Sequence, residues 1–361
     1  MDYYRVEESF QVLLERNVPL SSSQNQRIRQ LCLAVLLAGN TYLSQLARWL
    51  PHTNQQDSRV QWIRRLLQAP YLTQEIVYQP LIKQALQNYK AKTLHLIMDR
   101  SPLHPPDTDL LSLNLYFRRR AIALAWEIIP HGSSNLAMQQ RLVERVKPLL
   151  PAHTPTVFHG DNEFGGMPFL HYLRQQSWQL ILGQSAKNYY RLSPTATWQL
   201  LGTLPVTATR AVYLQAIELT KKHTYGPLNL YAFYQPRFSK KRRKHDITYC
   251  ATTLPITPTL RCTGRHRWGV ECFYKDYKSA GWAIDRSKLT HPQRCLGLLT
   301  ILGVAHLWTT CLGRWLCKTG QRKLVDSKSQ RHLSLFRLGW DWLVHQYRTG
   351  LPCPALLTLY Q

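Results

Sequence analysis

Acidic residues are scarce in this chain: 20 Asp and Glu stand against 46 Lys and Arg over 361 residues, a formal net charge of +26. A balance this basic makes a polyanion the expected partner. The cations are spread along the whole chain rather than gathered on one amphipathic helix, which disfavours a membrane surface and favours nucleic acid. The eight cysteines include no C-x-x-C pair, and Cys262-x-x-x-His266 has no second pair at a matching distance, so no structural zinc is expected. The amino terminus, Met1-Asp2-Tyr3-Tyr4, lacks the charged-then-apolar order of a secretory signal. Reduced thiols in the cytoplasm are the expectation. The fourteen histidines include no H-x-x-x-H pair on one predicted helix, and no local motif supports a Cys or Ser nucleophile.

Charge is also missing from Cys295 to Gly313, nineteen residues without Asp, Glu, Lys or Arg. That length could span a membrane. His306, Thr300, Thr309, Thr310 and the glycines instead favour a buried helix in a large core. The chain has the means for such a core, with 44% hydrophobic residues and a length suited to two or three domains.

Helical patterns run from Ile28 to about Pro70: Leu31 to Leu37, a stop at Gly39-Asn40, Thr41 to Leu50, and Arg59 to Leu67. Three short helices with tight turns have the outline of a helix-turn-helix DNA binder, with Arg59, Arg64 and Arg65 as contacts, or of a bundle that only packs on its neighbour. From Leu94 to Leu182 the apolar runs alternate in the order β-β-β-α-β-α-β, which predicts a mixed sheet covered by helices, an α/β core. After Gln184, short β-runs at Arg210 to Ile217, Leu228 to Tyr234 and Ile247 to Thr252 predict a twisted β-rich insert. The run Lys240-Lys241-Arg242-Arg243-Lys244 falls between the last two and is expected at a hairpin tip that follows a DNA backbone. Ser334 to Leu343 reads as an aromatic helix whose default role is packing.

With so few acids, the place of each one carries information. Asp99 ends the apolar run His95 to Met98, and Asp161 follows Thr156-Val157-Phe158-His159-Gly160, so both stand at the carboxyl end of a predicted strand. Ligands of α/β sheets gather there, although a lone Asp in that place more often starts a turn or caps a helix. The third acid is Glu271, framed by Arg267 and Lys278. On one helix at about 100° per residue all three would share a face, one carboxylate beside two phosphate-gripping cations. Three carboxylates suit two Mg²⁺ ions, with Mn²⁺ as a substitute, and one carboxylate bridging them for an in-line displacement at phosphorus.

These residues resemble the DDE transposases of bacterial insertion sequences, in particular insertion-sequence family four, which carries a β-rich insertion between the second Asp and the Glu. The resemblance rests on Ile97-Met98-Asp99-Arg100-Ser101, on Asp161-Asn162-Glu163-Phe164-Gly165, and on Arg267-x-x-x-Glu271 followed by Lys278. The last matches a Y-x2-R-x3-E-x6-K signature in all but its tyrosine, where this chain has Gly264. Ser334 to Gly339 is similar to the family's carboxyl-terminal segment.

The resemblance implies a ribonuclease-H-like core holding Asp99, Asp161 and Glu271 around two Mg²⁺ ions. It implies hydrolysis at element ends and transfer of the 3′-hydroxyl to target DNA by a dimer bound to two ends. It also implies a flipped base held on an aromatic of the insert, for which Trp198 is the candidate. The expected organisation is a helical DNA-binding unit over 1–90, the core over 91–183 and 263–320, the insert over 184–262, and a helical segment over 321–361. A catalytically impaired copy that occupies element ends as a repressor is the alternative, favoured by Gly264; a related metal-dependent nuclease is another.

Overall fold

The structure, a computed structural model, describes residues 2–51, 54–103, 107–235, 246–279 and 281–360. It opens with a short strand β1 (Tyr3–Tyr4) and the helices α1 (Val6–Asn17), α2 (Ser22–Ala38), α3 (Leu43–Arg48), α4 (Gln56–Leu66) and α5 (Gln79–Leu86). Ser21 caps α2 by accepting from the Gln24 amide, the Gln24 side chain answers on the Ser21 amide, and Gly39 ends the helix at φ 68°. These are the start and stop chemistries that free helix ends require.

The central sheet follows. Strands β2 (Leu94–Leu103), β3 (Thr108–Phe117) and β4 (Arg120–Pro130) pair antiparallel. Helix α6 (Leu136–Val146) then returns the chain to β5 (Thr156–Gly160), parallel to β2, and α7 (Met167–Gln175) leads to β6 (Gln179–Gln184), parallel to β5. All seven elements expected between Leu94 and Leu182 are present in the expected order. The β-rich insert follows as β7 (Tyr189–Arg191), β8 (Gln199–Leu200), β9 (Val212–Leu219), β10 (Tyr225–Gln235) and β11 (Asp246–Thr252). It continues the same sheet: β11 pairs antiparallel with β6, giving ten strands in the order β4-β3-β2-β5-β6-β11-β10-β9-β7-β8. The fold is α/β with a mixed sheet, as the alternation of apolar runs predicts.

The chain ends with α8 (Leu260–Gly264), α9 (Gly269–Tyr277), α10 (Pro292–Lys318), α11 (Leu335–Thr349) and β12 (Cys353–Pro354). The charge-free run lies in α10, which is long and apolar enough to cross a membrane by length and composition but is almost wholly buried inside the protein. Helix α11 crosses it so closely that a Cβ on Gly313 would stand 1.9 Å from the Leu335 carbonyl oxygen, and one on Gly339 1.8 Å from that of Thr309. Only glycine permits that approach. The amino-terminal helices share this core. Strand β1 pairs with β12, Trp340 Nε1 donates to the Leu36 carbonyl at 2.8 Å, and one buried apolar cluster runs from Val6 to Leu359.

Candidate active site

The parallel register of β2 and β5 matches Ile97 with His159. Asp99 lies two residues further along β2, and Asp161 is the first residue beyond β5, so the register carries both aspartates to the same end of neighbouring strands. Asp161 also does what a lone strand-end Asp does: its Oδ1 accepts from the Glu163 amide at 2.9 Å and caps a short 3-10 turn. That turn is fixed to β2 by Arg100, which donates to Glu163 at 2.9 Å and also pairs with Asp109. Glu163 and Asp109 are thus consumed in structural pairs. Among the described residues no ion pair engages Asp99, Asp161 or Glu271.

Glu271 reaches the aspartates through its helix. Gly269 starts α9 against β4, where a Cβ would stand 2.9 Å from the Arg120 carbonyl oxygen, and Asp276 pairs with the Arg120 guanidinium at 3.0 Å. Val270, Phe273 and Tyr277 are buried, while Glu271 is on the exposed side. Between them Tyr274 donates its hydroxyl to the Asp99 carbonyl oxygen at 3.0 Å and lies 2.9 Å from Ser112 Oγ. The helix bearing the glutamate is therefore tied to the residue bearing the first aspartate. Tyr274→Phe is expected to lower the unfolding free energy by about 1–2 kcal/mol, read as a shift of the urea midpoint. An unmoved midpoint would show that the hydroxyl does not hold the helix in place.

Asp99 lies within electrostatic reach of both other carboxylates. Burial pushes the Asp99 carboxyl up to about 7, Arg267 and the Arg100 amide pull it down, and Asp161 and Glu271 each push it further up. The oxygens of the three carboxylates do not all fall within 4.8 Å of one another; among the described residues the group that does is His95, His159 and His266. Of the three, Asp99 is the carboxyl raised by the charges of both others.

The cations depart from the single-helix expectation. Arg267 belongs to a 3-10 turn, Arg265–Trp268, and α9 begins only at Gly269. Lys278 follows the helix as its cap, at φ −102° and ψ −117°, so the three residues do not share one continuous helical face. Lys278 donates to Ser101 Oγ at 2.7 Å and to the Pro102 carbonyl at 2.6 Å, and burial lowers its pKa against the pull of Asp285 and Asp109. It holds the end of β2. Arg267 lines a cleft of about 250 Å³ together with Asp161, Arg261, Arg265 and the aromatic residues Tyr231 and Phe233. Arg261 and Arg265 were not anticipated, although the run Arg261, Arg265, Arg267 just ahead of Glu271 is plain in the sequence.

Gly264 lines the same cleft, and a Cβ at 264 would stand 2.1 Å from the Tyr231 hydroxyl. A phenol from β10 already occupies the space beside Gly264. Arg64 and Arg65 lie in the last turn of α4, Arg65 exposed. Trp198 lies between β7 and β8, at the edge of the sheet opposite β4 and five strand positions from β5, with the Arg191 guanidinium 4.7 Å over its ring. The structure does not bring it to the carboxylates. Lys240, Lys241, Arg242 and Arg243 lie outside the described residues, in the connection between β10 and β11.

No protein-family profile matches the chain, and no curated protein does. A solved structure that does match is a piggyBac transposase in a synaptic complex with hairpin DNA, determined by cryo-electron microscopy. It is 12% identical at a TM-score of 0.46, over 98% of this chain and 79% of that one. At that identity and TM-score the likeness does not decide what this chain does.

Proposed function

We propose that this chain is a DNA transposase of the DDE type, which cuts the ends of a mobile element and transfers the freed 3′-hydroxyl to target DNA. The observation that carries the proposal is the parallel pairing of β2 with β5, whose carboxyl ends lead to Asp99 and Asp161, with the Glu271 helix tied to Asp99 through Tyr274. The residues fit hard divalent cations: three carboxylates, none in an ion pair with a described residue, one of them within reach of both others. Asp99, Asp161 and Glu271 would hold two Mg²⁺ ions, which when bound activate the attacking oxygen and stabilise the leaving one.

The chain's own residues supply position and charge. Arg261, Arg265 and Arg267 offer guanidinium donors to phosphate oxygens along the cleft that opens at Asp161. The remaining cations of a chain at +26 extend that attraction along duplex DNA, with Arg64 and Arg65 at the end of α4 and the run at 240–244 as further backbone contacts. Two element ends are held by two copies of the chain. The alternative, a DNA binder without catalysis, drew its support from Gly264. The Tyr231 hydroxyl beside that position supplies a packing reason for the glycine.

The test is incubation of the purified protein with duplex DNA carrying the sequences that flank its gene. Nicks at the element ends that require Mg²⁺ or Mn²⁺ and disappear with a chelator are expected. Footprints at those ends without any cleavage would sustain the binder instead.

A further inference from the structure

We infer that His95, His159 and His266 form a binding site for a divalent transition metal, zinc by preference, separate from the carboxylates. One ring nitrogen of each lies within 4.8 Å of one from each of the others. The rings are not stacked; centroids are 4.4 Å apart for His95 and His266, 5.2 Å for His95 and His159, and 5.9 Å for His159 and His266, with interplanar angles of 79°, 52° and 49°. The three imidazoles approach from different directions, with one nitrogen of each close enough to the other two to share an ion. His95 Nδ1 and His159 Nε2 are 3.0 Å apart, and two nitrogens on one tetrahedral zinc at about 2.0–2.1 Å stand roughly 3.3 Å from each other.

A hydrogen bond accounts for that pair alone. Each neutral imidazole carries one donor and one acceptor nitrogen, and the Nδ1 atoms of His159 and His266 are buried with no partner. His159 faces His95 through Nε2, so its Nδ1 is directed away from the cluster, and the unpartnered nitrogen available to a metal is that of His266, whose burial unpaired costs on the order of 1–3 kcal/mol.

The three are held on rigid supports, as a metal site requires. His95 and His159 come from the adjacent parallel strands β2 and β5, on one sheet face, with His159 fully buried. His266 is stacked on Tyr116 of β3 at 4.0 Å and 17°. An all-nitrogen set suits zinc, and poorly suits magnesium, which takes oxygen ligands. With three protein ligands, a fourth position remains for water or a further ligand.

The test needs neither DNA nor Mg²⁺, so it is independent of the transposase reading. Chelator-treated protein carrying Asp99→Asn, Asp161→Asn and Glu271→Gln, which lacks the other cation site, is titrated with Co²⁺ and read by its visible ligand-field absorption. One Co²⁺ per chain, displaced by Zn²⁺, is expected, and Zn²⁺ should raise the melting temperature. His266→Ala and His95→Asn, both at partly exposed positions, should each weaken binding at least tenfold while circular dichroism shows the fold retained. Absence of Co²⁺ and Zn²⁺ binding, or undiminished binding in both folded histidine variants, would overturn the inference.

Discussion

Asp99→Asn is expected to reduce end cleavage by about 10³-fold or more, equivalent to ~4 kcal/mol of barrier, while DNA binding changes little. Asp161→Asn and Glu271→Gln should do the same; cleavage surviving any one change would remove that residue from the site. Asp99 adds a signature of its own because burial, reinforced by Asp161 and Glu271 and opposed by Arg267, raises its carboxyl from 3.8 to about 7. A cation must displace the proton held there. At Mg²⁺ concentrations below saturation, cleavage should therefore fall about tenfold per pH unit below 7, and a flat profile between pH 5 and 7 would contradict the assignment.

The same shift has a consequence for stability. A carboxyl whose folded pKa lies above its unfolded one binds its proton more tightly when folded, so stability declines as pH rises through the interval from 3.8 to about 7. Above 7 the loss is complete, with a ceiling of roughly 4 kcal/mol at 1.36 kcal/mol per pKa unit. Asp99 keeps partial access to water, which lowers the expected figure to ~2 kcal/mol. Asp99→Asn should accordingly unfold at higher urea than wild type at pH 8, and the two should converge at pH 4. Saturating Mg²⁺ at pH 8 should stabilise wild type and leave Asp99→Asn unchanged.

Gly264→Ala is expected to destabilise the protein by about 2–3 kcal/mol, because the new methyl would collide with the Tyr231 hydroxyl 2.1 Å away. Tyr231→Phe deletes that oxygen and leaves Tyr231 Cζ, 3.3 Å from the same point, as the nearest atom of that ring. The double variant should therefore recover most of the loss, a coupling of about 1–2 kcal/mol in a double-mutant cycle. Strict additivity would mean that the hydroxyl is not the obstacle.

What the sequence disclosed and what it concealed divide along physical lines. Alternating apolar runs are local, and they disclosed β2 through β6 and the strand-end aspartates. The pairing of β11 with β6, which makes the insert a continuation of the core sheet, is a long-range choice that no local pattern encodes. Helix α1 was readable but unread, since Val6, Phe10, Leu13 and Leu14 recur at helical spacing and are buried. The break between the Arg267 turn and α9 was hidden because the residues on either side suit a single helix; the packing of Gly269 on Arg120 accompanies it. Lys278 carries the right charge at the right spacing, yet its ammonium is spent on Ser101 and Pro102. The three histidines come from two strands and a turn, so a search for closely spaced pairs passes over them.

Whether Asp99, Asp161 and Glu271 hold divalent cations together is read most directly from crystals soaked in Mn²⁺ and measured for anomalous scattering. The predicted result is two peaks about 3.5–4 Å apart, both touching Asp99, one reached by Asp161 and the other by Glu271. Anomalous density absent from all three carboxylates would contradict it.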